Sequence, residues 1–399
     1  MSHRLKLTIP CVLACLLAAG ACAPESADVA ESETDGALDF PAIVAAMLER
    51  ADLQPGERVL LVGQAGTRWD SILPLLSTGI QEAGAAYLGA VDIFGAPLPG
   101  AEPAEFAAGL GLDPEGWADA LAEVDLAVKL PGATPSPDVD YDVYRALQDV
   151  LRGDRGRTVH FHWAGATSFG MVELPVDENV DMVYQRALLE TDYEALAATL
   201  TAFEAALRAG VARVTTPAGT DISFEVADRP VTRQDGDASA ARMTEARNLI
   251  DREVELPAGA ARVSPVPETV EGRIAFPPAQ WGGSAVEGLV LSFVEGRVVD
   301  VEADSGREGV IAEMDAAGDA GRTFRELAVG FNPLLAIPNG EEWIPYYGYG
   351  GGVVRLSLGD NTELGGAVGG GYVRWNFFTD ATVMVGGEVW VRDGVLVAR

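Results

Sequence analysis

Arg325-Glu326-Leu327-Ala328-Val329-Gly330-Phe331-Asn332-Pro333, Gly352-Val353-Val354-Arg355-Leu356-Ser357-Leu358-Gly359 and Gly371-Tyr372-Val373-Arg374-Trp375-Asn376-Phe377 are the three segments whose reading decides the fold. The second and third carry β-branched and aromatic residues between glycine runs, the signature of strands. Alternation puts Val353, Arg355 and Ser357 on one face, and Tyr372, Arg374 and Asn376 on one face of the next strand. If both faces point inward, two guanidinium groups converge on Glu326. A polar cluster on otherwise apolar strands marks a site.

With Leu256-Pro257-Ala258-Gly259 upstream, these segments resemble the M29 metallopeptidases, the thermophilic aminopeptidases of T and S type. That family binds two divalent cations through a Glu in "LPxGE", a Glu in "GELxxGxNP", a His in "GTxHxxLG" and a His-x-Asp near the C-terminus. Carried over residue by residue, the resemblance keeps Glu326 and places the lost ligands at Ala260, Arg355, Arg374 and Asn376. A tyrosine of the family falls on Thr362. Arginine stays protonated and offers no lone pair, so it cannot ligate a metal. The resemblance therefore implies the peptidase fold with most metal ligands replaced. It also implies a candidate anion site in which one of Arg355 and Arg374 pairs with Glu326 and the other meets a carboxylate or phosphate.

Hydrophobic residues make up 48% of the 399, enough for two sizeable cores. The net charge of -32 argues against nucleic-acid binding and against adhesion to anionic lipid. Lys6 and Lys129 are the only lysines. His3, Arg4 and Lys6 precede an apolar run over 7–18 and Ala19-Gly20-Ala21-Cys22, which resembles a lipoprotein signal with Cys22 as the lipidated residue. All three cysteines (Cys11, Cys15, Cys22) lie in this segment, so the processed chain has no disulfide to form. Residues 23–38 are acidic and small, and read as a flexible tether. Ala23 resembles the position-two residue of lipoproteins sent to the outer membrane, so the expected location is its periplasmic face.

Residues 39–209 alternate helical and strand patterns, as for a parallel sheet with helices on both faces. Helices are expected at 43–51, 69–83, 117–124, 141–151 and 192–208, and strands at 59–62, 87–94, 126–128 and 159–163. Gly63-Gln64-Ala65-Gly66 opens no dinucleotide or phosphate-loop motif and reads as a turn. His160 and His162 share a strand face and are weak metal candidates, since no third ligand is visible beside them.

Residues 210–399 shift to paired strands, giving an α+β, strand-rich domain of aminopeptidase T/S type. Residues 234–253 read as a surface insertion, partly helical. Glu271 and Glu287 sit in "VEG" turns and read as solvent-facing. The aromatics at 343–349 read as a pocket mouth or dimer face. The sequence shows no GxSxG and no HExxH.

The expected function is a cell-envelope lipoprotein that lacks two-metal peptidase activity and acts in binding or structure. No cofactor is expected, and the ligand would be a small anion or peptide, with a homodimer as a further expectation. The alternative is an active metal-dependent aminopeptidase or hydrolase, its site rearranged around Glu326, other acids and His160 or His162. Changing Cys22 to Ser is expected to release the protein from membranes in cell fractionation; unchanged membrane association would show that Cys22 carries no anchor.

Overall fold

The structure is a computed structural model describing residues 38–92, 94–105, 114–133, 153, 156–163, 165–167, 173–174, 178–337 and 343–397. The signal segment with Cys22, the tether up to residue 37 and the helix expected at 141–151 lie outside the described residues.

The first helix, α1 (Phe40–Ala51), starts where the Asp39 carboxylate accepts from the Ala42 N–H, with proline in its first turn. It is followed by β1 (Arg58–Gly63), α2 (Leu73–Glu82), β2 (Ala86–Asp92), α3 (Pro114–Leu121), β3 (Leu126–Lys129) and β4 (Arg157–Phe161). The helix expected over 69–83 splits into a 3₁₀ turn, Arg68–Ile72, and α2, with Pro74 in the first turn of α2. Helices α4 (Glu178–Glu190) and α5 (Tyr193–Ala209) come next, α5 capped by Asp192 on the Ala195 N–H.

Strands β5 (Val231–Gln234), β6 (Glu253–Leu256), β7 (Ala260–Val263), β8 (Phe324–Gly330), β9 (Val354–Gly359) and β10 (Val373–Phe378) build around the site. The parallel sheet runs β6-β4-β3-β1-β2, so its edge beside β4 is supplied by residues 253–256. Val59, Leu61, Val128, Val159 and Phe161 pack on one face with Ile43, Met47, Leu76 and Ile80 of α1 and α2. On the other face Leu60, Val62 and Ala127 meet Trp117 and Leu121 of α3. Helices on both faces of a parallel sheet are what the alternating pattern predicts.

An antiparallel sheet of order β10-β9-β8-β7-β5 follows, and α5 packs on its β5 and β7. A larger antiparallel sheet of eight strands, beginning with the hairpin Ala212–Thr215 and Asp221–Phe224, completes the strand-rich part. Gln234 fastens the first two sheets together: its amide donates to the Glu253 carbonyl and accepts from the Glu255 N–H.

Residues 234–253 are partly helical, with a short helix Ala240–Met243 and a 3₁₀ turn Ile250–Arg252, but only their middle is at the surface: Ala241, Thr244, Glu245, Arg247 and Leu249 are exposed, while Asp235, Ala238, Ser239 and Asp251 at the two ends are buried. The Ala238 carbonyl accepts from the buried Arg157 guanidinium (2.6 Å) and its N–H donates to Arg50 (3.0 Å), because this segment carries the chain from β5 back to the parallel sheet. The glycines around 350 admit the chain's own backbone: a Cβ on Gly330 would lie 2.0 Å from the Gly350 carbonyl oxygen. No helix among the described residues is long and apolar enough to cross a membrane.

Trp69 ties α1 to the parallel sheet, its ring meeting Phe40 at 5.9 Å, Phe161 at 5.3 Å and Trp163 at 5.2 Å. Trp69→Ala should cost about 3–5 kcal/mol of stability, read as a lowered urea midpoint. A loss below about 1 kcal/mol would show that this aromatic group does not hold the layers together.

Candidate functional site

The site grows from the registers of β7, β8, β9 and β10. Arg262 pairs with Ala328 across β7 and β8, and Ala328 with Arg355 across β8 and β9. Paired residues of an antiparallel ladder share a face, so the two guanidinium groups flank one small side chain. Glu326, two residues along β8, lies opposite Ser357 on that same face. A bulge between Phe324 and Glu326 breaks the alternation there and lets Arg325 reach its own neighbour.

Glu326 is completely buried, and its Oε1 is 2.6 Å from Arg325 Nη1, 3.2 Å from Arg355 Nη2 and 3.2 Å from the donating Ser357 hydroxyl. Its Oε2 accepts from Arg262 Nε at 3.0 Å. Burial alone would raise its pKa, but Arg262, Arg325 and Arg355 together hold it far below the usual carboxylate range. Glu363 accepts from both Arg262 and Arg325. Arg355 also donates to the Tyr347 carbonyl (3.0 Å) and lies over the Trp375 ring, 5.0 Å from its centroid. Burial lowers its pKa from the ordinary arginine value, with Glu326 opposing.

The structure does not bring Arg374 to Glu326. Arg374 pairs with Leu358 and Asn376 with Leu356, whereas Arg355 pairs with Phe377 and Ser357 with Trp375, so the two arginines project from opposite faces of the sheet. Arg374 sits 3.4 Å from the Trp281 ring centroid and 2.8 Å from Glu313. Asn376 donates to the Leu356 carbonyl. Thr362 is exposed and bonded to Asp360, and Ala260 is buried opposite Gly330. Glu271 and Glu287 are exposed, Glu271 accepting from the Glu295 N–H in its turn.

A second polar cluster lies at the C-terminal ends of the parallel strands. Glu255 of β6, His160 of β4 and Lys129 of β3 are neighbours in register, with Glu253 and His162 two residues away on the same face. His160 Nδ1 is 2.9 Å from His162 Nε2, 3.1 Å from Glu253 Oε1 and 3.6 Å from Glu255 Oε2. His162 Nε2 is 3.5 Å from Glu255 Oε2. Burial, then the His160 charge, hold His162 well below the ordinary histidine value, which leaves its imidazole neutral. His160, His162 and Glu255 thus present three ligand atoms to one point, all from buried residues. The sequence hid Glu255 because nothing in it pairs β6 with β4.

Tyr347 joins the clusters. Its backbone is left-handed (φ 49°), and its ring packs 4.9 Å from His162 and 4.9 Å from Trp375. Trp343 and Tyr349 are buried within the same chain. The phenol of Tyr349 is pushed up by burial, and it lies within electrostatic reach of Arg262, Glu255 and Arg355.

A cavity of about 530 Å³ opens elsewhere, between the start of α5 and the turn after β8, and shares no residue with either cluster. Its walls are mostly apolar, with Leu196, Phe331, Pro333, Leu334 and Trp390, and Thr199 at its side.

No family model matches the chain, and no curated protein sequence matches it. Solved structures do. The 2,5-dihydroxypyridine dioxygenase of Pseudomonas putida KT2440 superposes with a TM-score of 0.58 at 14% identity, over 90% of this chain and 97% of that one. Wild-type AmpT of Thermus thermophilus superposes with a TM-score of 0.57 at 18% identity, over 91% of this chain and 100% of that one. The chain has the aminopeptidase T-like fold that its segments resemble. The dinuclear centre implied by that resemblance does not fit here: both oxygens of Glu326 face guanidinium groups, which have no lone pair to give a metal.

Glu326→Gln leaves three buried guanidinium groups around a neutral amide and should cost about 3–5 kcal/mol in urea unfolding. The folded-state pKa of Glu326 is depressed. Its contribution is therefore fully present above its unfolded value of about 4.3 and is lost as pH falls through the folded value. The gap between wild type and Glu326→Gln should narrow below about pH 4.3; a gap constant down to the acid limit of folding would refute the charge pairing.

Proposed function

We propose that this chain is a cell-envelope lipoprotein, anchored at the periplasmic face of the outer membrane, whose aminopeptidase T-like fold serves binding rather than two-metal peptide hydrolysis. One observation carries this reading: Glu326 is closed in by Arg262, Arg325 and Arg355. A two-metal hydrolytic site needs open coordination positions and lone-pair donors, and this pocket is filled by cations of the chain itself. The three guanidinium groups satisfy the carboxylate as metals would, so the scaffold keeps its polar centre without the chemistry.

Binding has a place in the cavity of about 530 Å³ beside α5, within the size range of small-molecule sites. Its apolar lining favours a small, largely apolar ligand. Purified protein supplied with Co²⁺, Zn²⁺ or Mn²⁺ should release no product from aminoacyl-nitroanilides above the blank, while an apolar fluorescent probe binds and is lost in Thr199→Trp, an exposed position at the cavity wall. Metal-dependent, chelator-sensitive product release would overturn the first half of this reading, and equal probe binding by both proteins the second.

A further inference from the structure

We propose that His160, His162 and Glu255 form a mononuclear site for a divalent first-row transition metal. Two imidazoles and one carboxylate are the donor set that such ions take when other coordination positions are left to water or substrate. The three ligand atoms stand 2.9, 3.5 and 3.6 Å apart. Metal–ligand bonds of about 2.0–2.2 Å in a tetrahedral arrangement set ligand atoms roughly 3.4 Å apart, so little movement is needed.

His162 Nε2 at 2.9 Å, Glu253 Oε1 at 3.1 Å and Glu255 Oε2 at 3.6 Å all converge on His160 Nδ1, so polar atoms of three side chains gather at one ring nitrogen.

This site shares no residue with the positions where the dinuclear pattern falls, and it stands whether or not the chain hydrolyses peptides. The three His residues of the sequence make its test direct. The full chain, labelled with ¹⁵N, is titrated with Zn²⁺ alone while the imidazole nitrogens are followed by NMR. The expected result is one Zn²⁺ per chain, with His160 Nδ1 and His162 Nε2 moving to metal-bound shifts at one equivalent. His162→Asn with Glu255→Gln should weaken uptake by at least about 100-fold, the upper end of what loss of an outer-shell partner costs. Unmoved imidazole signals in the wild-type protein would overturn the proposal without reliance on any variant, as would equal Zn²⁺ affinity in a folded double variant. Either failure leaves the reading of the Glu326 cluster standing.

Discussion

A carboxylate with no access to water must be met by positive charge, and Glu326 is the group on which this structure turns. Leaving it unpaired would cost several kcal/mol, so the chain must bring cations to it. Three strands and one bulge do so. Ala328 is small enough for Arg262 and Arg355 to stand on either side of it, and Ser357 supplies a hydroxyl from directly opposite Glu326. The cations are covalent parts of the chain, so the Glu326 charge is met without an exchangeable ion. Glu363 extends the pairing to the outer edges of Arg262 and Arg325.

The broad plan was legible in the sequence because period and composition carry it. The helices expected over 43–51 and 192–208 and the buried strand expected over 59–62 follow from apolar spacing, and the structure has them at Phe40–Ala51, Tyr193–Ala209 and Arg58–Gly63. Alternation put Arg355 and Ser357 on one face and left either Arg355 or Arg374 as the partner of Glu326; the register of β8 with β9 selects Arg355. Arg325 did not follow, since alternation sends adjacent residues to opposite faces and only the bulge after Phe324 reverses this. Arg374 was misplaced for a related reason: alternation gives two faces but not which one points inward, and the register with β9 decides it. Arg262 lay two residues beyond Ala260 on the same strand face, a signal that was present but carried no motif.

Long-range pairing is what no local pattern supplied. Glu253 closed the stretch read as a surface insertion and Glu255 lay just beyond it, and the meaning of both depends on β6 lying beside β4. Once it does, two carboxylates, two imidazoles and the buried Lys129 share one face at the ends of the strands, where open parallel sheets gather polar groups. Tyr347 holds an uncommon backbone conformation between this face and Trp375, and so couples the two polar centres through one aromatic ring.

The supply of β6 from residues 253–256 also sets an order of events during folding. Until residues 253–256 dock, β4 has no partner on one side, and the preceding strands hold a sheet with an open hydrogen-bonding edge. Closing it requires a contact spanning 93 positions, from His160 to Glu253, so this half of the molecule completes late and slowly. A chain that cannot finish its parallel sheet early stays pliable for longer, and any fragment ending before residue 253 carries an unpaired edge ready to associate with another strand.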